Sequence, residues 1–130
     1  MPGPEQAEFL FVYGTLKRGL DNPWSRRLWS EGQMVGEATV SGRLYSLGGY
    51  PGLKDPTGRQ AERVHGEVAR LPEGRALLDD LDAYEGDEYK RVVRIATLPD
   101  GEQISVWVYM YQPEVTEKQR IVSGYFAFGQ

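Results

Sequence analysis

Cysteine is absent from the sequence, and histidine occurs once, at position 65. The first absence removes disulfide frameworks and thiol nucleophiles. It agrees with a reducing compartment, so the expected location is cytoplasmic. The second leaves little basis for a His-rich zinc site or a Ser-His-Asp triad. His65 reads as a strand residue without a catalytic part, and neither a metal nor a cofactor is predicted, with carboxylates alone left as a formal ligand set. Long apolar runs are lacking as well. None approaches the roughly 20 residues that a membrane helix needs. The opening Met1-Pro2-Gly3-Pro4-Glu5-Gln6 has neither the basic nor the apolar region of a secretion signal. Positive charge is also in deficit: 15 Lys and Arg stand against 19 Asp and Glu, a net −4. Nucleic-acid binding draws its affinity from neutralised phosphates, so that class is disfavoured. The basic pairs Lys17-Arg18 and Arg26-Arg27 read as solvated surface. A small molecule is the expected partner, with no nucleic acid and no membrane.

What is present is turn chemistry. Sixteen glycines and eight prolines in 130 residues imply short strands and many tight turns. The length fits a single domain over 1–130, with residues 1–8 as a flexible tail, and it can bury a core without a disulfide or metal. Phe9 to Tyr13 is a continuous apolar run of strand length, expected to be covered on both faces. Asp21-Asn22-Pro23 reads as a helix start, with Trp24, Leu28 and Trp29 as its apolar stripe. A strand is expected within 35–47, with Val40, Gly42, Leu44 and Ser46 on one face. "SLGGYPGL", Ser46 to Leu53, reads as turn, and Lys54 to Gln60 as an exposed loop. Arg63 to Leu71 alternates as a strand. Leu77, Leu78, Leu81 and Tyr84 recur at helical spacing, which predicts a helix over 73–84 closed by Gly86.

Tyr89 to Leu98 and Gln103 to Gln112 read as a hairpin joined at Asp100-Gly101. In its second strand Ile104, Val106, Val108 and Met110 share one face. Ser105, Trp107, Tyr109 and Tyr111 share the other, as in a central or barrel strand. The apolar tail, 121–129, should dock on the body or on a second subunit. The fold class is therefore α+β: a small mixed or antiparallel β-barrel with flanking helices. The oligomeric state is left as monomer or homodimer.

Two motifs fail on inspection. Gly14-x-x-x-x-Gly19 has the spacing of a phosphate loop, but Leu20-Asp21 follows where Lys-Ser/Thr is required. The acidic run 79–88 offers Asp80 and Asp82 as the start of a calcium loop. It then places Tyr84, Glu85 and Arg91 at decisive positions.

Two features survive. Glu85 should lie in the last turn of its helix, where unpaired carbonyls disfavour a carboxylate and raise its pKa; burial would act in the same direction. Such a carboxyl can take and return a proton near pH 7. Tyr13-Gly14-Thr15-Leu16 ends a strand, and the glycine, tolerant of unusual backbone angles, would let successive N–H groups turn inward. That nest could hold a carboxylate or a developing oxyanion.

"FVYGTLKRG" and "LDAYEGDEYKR", in this order and spacing, resemble the γ-glutamylcyclotransferase-like family, in particular its γ-glutamylamine cyclotransferase and plant avirulence-induced-gene-like branch. "LYSLGGYPGL" and "VWVYMYQ" also resemble that family's middle and late strands, so the likeness runs from Phe9 to the tail. It implies a pocket at the mouth of a small barrel. Glu85 falls on the family's catalytic glutamate. Tyr13, Gly14, Thr15 and Leu16 fall on its substrate loop, and Tyr89 on a pocket tyrosine. Thr15 stands where many members carry Ser and keeps the hydroxyl. Gly49, Tyr50 and Pro51 are expected at the same rim. The implied reaction converts a γ-glutamyl-amino acid or γ-glutamylamine to 5-oxoproline and a free amine. Two other readings share the site: a non-catalytic sensor of a small carboxylate, and an amide hydrolase that uses Glu85 and water.

Overall fold

The first strand, β1 (Phe9–Val12), has no polar face, and the computed structural model covers both of its sides. Residues 8–20, 22–56 and 62–126 are described. Residues 1–7 of the predicted tail, Asp21 of the predicted helix start and residues 57–60 of the predicted loop lie outside them. The elements that follow are α1 (Pro23–Glu31), β2 (Gln33–Ser41), β3 (Arg43–Ser46), β4 (Pro51–Lys54), β5 (Arg63–Arg70), α2 (Ala76–Glu85), β6 (Tyr89–Thr97), β7 (Gln103–Tyr111) and β8 (Arg120–Ile121).

Strands β1, β5, β2, β6 and β7 form a ring, closed by parallel pairing of β7 with β1. Strands β4, β3 and β8 extend the sheet beyond β7. The fold is thus the expected α+β barrel with flanking helices, and its sheet is mixed: β1–β7 and β4–β7 run parallel, the other pairs antiparallel.

Alternation of side chains along the strands builds two apolar layers. Phe11, Val40, Val64, Val68, Val106 and Val108 pack inside the ring. Leu10, Val12, Trp107 and Tyr109 point outward and meet Leu28 of α1 and Leu77, Leu78 and Leu81 of α2. The predicted division of β7 into two apolar faces is therefore real, with one face in the barrel and the other beneath the helices.

Four expectations need correction. The strand expected within 35–47 is two strands, divided at Gly42, where the chain passes so close to β4 that a Cβ would stand 2.7 Å from the Lys54 carbonyl oxygen. The end of the predicted turn is β4, because Leu53 finds partners in Leu44 and Met110. Its proline occupies the first strand position, where a missing N–H is tolerated. Helix α2 begins at Ala76, since Gly74 has φ +87°, outside helical range. Its apolar stripe also stops short: Tyr84 is 37% exposed.

The described part of the predicted tail, residues 121–126, docks on the chain's own body, and residues 127–129 lie outside the described residues. Ile121 pairs with Leu44, the Gly124 carbonyl accepts from the His65 N–H at 2.8 Å, and Phe126 is buried against the barrel interior. Tyr125 stacks on His65 at 3.9 Å.

Candidate active site

The chain leaves β1 through Tyr13 and enters a loop in which the carbonyls of Thr15, Leu16 and Lys17 accept from α1 and its cap, while that of Gly14 accepts from the Lys17 N–H. Asn22 caps α1 by accepting from the Ser25 N–H, and its amide donates to the Thr15 carbonyl at 2.8 Å. Trp29 Nε1 donates to the Leu16 carbonyl at 2.9 Å, and Ser25 Oγ to that of Lys17 at 2.7 Å. In a planar trans peptide each N–H points opposite the preceding C=O. With the Thr15 carbonyl turned to α1, the Leu16 N–H faces away from it. Among the described residues, the N–H groups of Gly14, Thr15 and Leu16 find no acceptor. These are the components of the predicted nest.

Its glycine is there for a different reason from the one expected. Gly14 does not have a positive φ. A Cβ at this position would stand 2.5 Å from Pro51 Cγ and 2.7 Å from Pro51 Cδ. Close approach, rather than an unusual backbone angle, requires the glycine. Gly49, with φ +148°, does hold a conformation that favours glycine, in the turn that brings Tyr50 and Pro51 over the loop.

Helix α2 approaches from the other side. Gly86, φ +80°, ends it and donates its N–H to the Asp82 carbonyl. Glu85 is thereby set in the last helical turn and lines, with Gly14, one cavity of about 320 Å³. All nine residues singled out in the sequence line that cavity: Glu85 from α2, Tyr13 to Leu16 from the first loop, Gly49 to Pro51 from the second, and Tyr89 from the start of β6. Sequence reasoning misses Phe11, Val12, Tyr84, Glu88 and Tyr109. Tyr109 is within its reach, since it alternates with Trp107 and Tyr111 on the outer face of β7.

The two loops are braced by phenols. Tyr13 Oη donates to the Tyr109 carbonyl at 2.6 Å and accepts from the Leu53 N–H at 3.2 Å. Tyr89 Oη donates to the Pro51 carbonyl at 2.7 Å. Thr15 Oγ1 lies 3.2 Å from Tyr84 Oη, and Tyr84 stacks on Trp24. The Tyr13 hydroxyl is thus engaged within the wall. Tyr13→Phe is expected to cost about 1–3 kcal/mol by stranding a buried N–H and C=O, measured as a lowered denaturation midpoint.

The electrostatics single out Glu85. Burial, and secondarily the charge of Asp82, push its carboxyl up to about 7. Desolvation, which the sequence points to second, is the larger of these two causes. Burial also raises the Tyr13 and Tyr89 phenols, with Glu85 contributing, so both stay protonated. Among the described residues no group of three or more His, Cys, Asp or Glu is placed to hold a metal ion. No helix there is long and apolar enough to cross a membrane.

The sequence model of the family described as gamma-glutamyl cyclotransferase, AIG2-like, matches residues 10–128. The chain belongs to this family. Among solved structures, this AIG2-like chain is similar to an AIG2-like protein from Mus musculus, at 23% identity and TM-score 0.72 over 93% of this chain and 88% of that one. It is also similar to a protein specific to uropathogenic E. coli, at 26% identity and TM-score 0.67, covering 92% of both chains. YkqA from Bacillus subtilis matches at 22% identity and TM-score 0.70; the match covers 93% of this AIG2-like chain and 40% of YkqA. No curated protein sequence matches the chain.

Proposed function

We propose that this protein is a γ-glutamyl cyclotransferase, releasing 5-oxoproline and an amine or amino acid from a γ-glutamyl compound, with Glu85 as the proton carrier. One observation carries the reading: a half-buried carboxyl poised near 7 shares a cavity with backbone N–H groups that have no acceptor among the described residues. Membership of the family raises the same expectation.

The chemistry balances on one carboxyl. Ionised Glu85 takes a proton from the substrate's α-ammonium, and the freed amine attacks the γ-carbonyl carbon. The attacking nitrogen, which then carries two hydrogens and a positive charge, gives one proton to water, the carbon–nitrogen bond to the leaving group breaks, and Glu85 returns its own proton to the departing nitrogen, leaving 5-oxoproline and a free amine. Both reactants belong to one molecule, so the cavity's main task is to hold the substrate folded for attack. The N–H groups of Gly14 to Leu16 would hold the α-carboxylate or the oxyanion.

A screen of γ-glutamyl-amino acids, γ-glutamyl-lysine isopeptides and γ-glutamylamines, read by 5-oxoproline, tests the assignment. Release of free glutamate instead would identify a hydrolase. Tight binding without turnover would identify a sensor. The active form has Glu85 ionised, so kcat/KM should rise with pH through a limb near 7. A rate that is flat between pH 5.5 and 8 would remove Glu85 as the base.

A further inference from the structure

We propose that Asp82 is a positioning residue of this site: gripped by Arg91 and Tyr109, it pins the last turn of α2 to the barrel wall and so fixes the Glu85 carboxyl in the cavity. The inference rests on the reading of Glu85 as the proton carrier, and it adds the residue that controls it.

The grip is made by two neighbouring strands. Asp82 Oδ1 accepts from Arg91 Nε at 2.8 Å and from Tyr109 Oη at 2.8 Å, while Oδ2 accepts from Arg91 Nη2 at 3.1 Å. Arg91 of β6 and Tyr109 of β7 stand directly opposite each other in the ladder. The Arg91 guanidinium also lies over the Trp107 ring, 4.2 Å from its centre, which holds the fork in a single orientation. A forked, stacked contact of this kind fixes direction as well as distance.

Asp82 and Glu85 are three residues apart on α2 and so share a face. Helix ends fray, and the Glu85 side chain has no hydrogen bond or ion pair among the described residues. Its placement therefore depends on how its turn is tethered. Tyr84 ties that turn to Thr15 and Trp24; Asp82 ties it to the barrel.

The same contact places a charge beside Glu85. The titratable groups that face Glu85 are Asp82 on its own helix, Tyr13 from the loop after β1, Tyr89 from β6 and Tyr109 from β7, with Tyr50, Tyr84 and Glu88 also on the cavity wall. The phenols of Tyr13, Tyr89 and Tyr109 are raised, first by burial, and stay neutral. Burial alone would raise Asp82, but the hydrogen bonds from Arg91 and Tyr109 and the charges of Arg91 and Arg75 outweigh it and hold it ionised. An ionised neighbour makes Glu85 bind its proton more tightly.

The test is a carbon-detected NMR titration of the Glu85 carboxyl in the whole protein, assigned by comparison with Glu85→Gln. It is independent of turnover. Asp82→Asn keeps the shape and removes the charge, so the Glu85 proton affinity should fall by about three- to tenfold. Arg91→Met leaves Asp82 uncompensated and should move the titration the opposite way. On the best substrate of the screen, Asp82→Asn should lower kcat by about tenfold with KM little changed. A merely structural ion pair would lower stability and leave the Glu85 titration in place. An unmoved titration in folded Asp82→Asn, or a shift of the same sign in both variants, overturns the proposal. Should Asp82→Asn fail to fold, Tyr109→Phe retains the charge and removes one bond. It should lower kcat with the Glu85 titration at or above that of the wild type; a fall there overturns the proposal equally. A wild type without turnover, but with these shifts, counts against the cyclotransferase reading alone.

Discussion

Glu85→Gln is expected to lower 5-oxoproline release by about 10²–10⁴-fold, the range that a positioned general acid–base contributes, while making the protein more stable at neutral pH. The two effects have one origin. The carboxyl stands near 7 in the fold against an ordinary 4.5, mainly because burial penalises its charge. The folded protein thus binds this proton more tightly than the unfolded chain. Its stability contribution is fully present below about 4.5 and is lost as pH rises through 7.

Glutamine keeps the volume and cannot ionise, so it removes that loss. After discounting for partial exposure, the gain above pH 7 should be on the order of 1–2 kcal/mol and should vanish near pH 4. Denaturant titrations at pH 8 and pH 4.5 measure the difference, and a discontinuous 5-oxoproline assay measures the rate. Release by the variant at near the wild-type rate would end the case for Glu85 as the base. A variant less stable than the wild type at pH 8 would show that the carboxylate is well solvated after all.

The second large effect is expected at Gly14. Alanine there would place its Cβ 2.5 Å from Pro51 Cγ and 2.7 Å from Pro51 Cδ, distances no packed carbon tolerates. The proline ring cannot rotate away, and its carbonyl is held by Tyr89 Oη at 2.7 Å. The two loops that wall the cavity must therefore separate. Overpacking of this kind costs about 1–3 kcal/mol. Displaced N–H groups would also raise KM and lower kcat, because a shift of about 1 Å in a positioning group costs up to about 10²-fold in rate.

Pro51→Ala in the same chain deletes the two clashing carbons. The double variant should recover much of the stability and part of the activity. If it is no better than Gly14→Ala alone, close packing is not what requires the glycine.

Much of the fold and of the site is legible in the order of the amino acids. Alternation assigns both faces of β7, because a side-chain period of two needs no knowledge of what covers it. Asn22-Pro23 and Gly86 mark helix ends through local capping chemistry. Asp100-Gly101 marks the hairpin, where Gly101 has φ +91°. The nine cavity residues belong to short motifs, and they do come together.

What the sequence alone determined about this protein was local: which segments are strands or helices, where most of them stop, and which residues are candidates for acid–base or hydrogen-bonding chemistry. Those properties depend on neighbours within a few positions. Tertiary structure alone decided the rest. It closed the ring by setting β7 beside β1, and it turned a Gly-Pro stretch into β4 by offering it partners. It made Gly14 a contact with Pro51 rather than a strained turn. It also gave Asp82, three residues before Glu85, to Arg91 and Tyr109 on two strands of the barrel. Each of these depends on groups distant in the chain approaching within a few ångströms, and on the water they exclude. No short-range pattern encodes that.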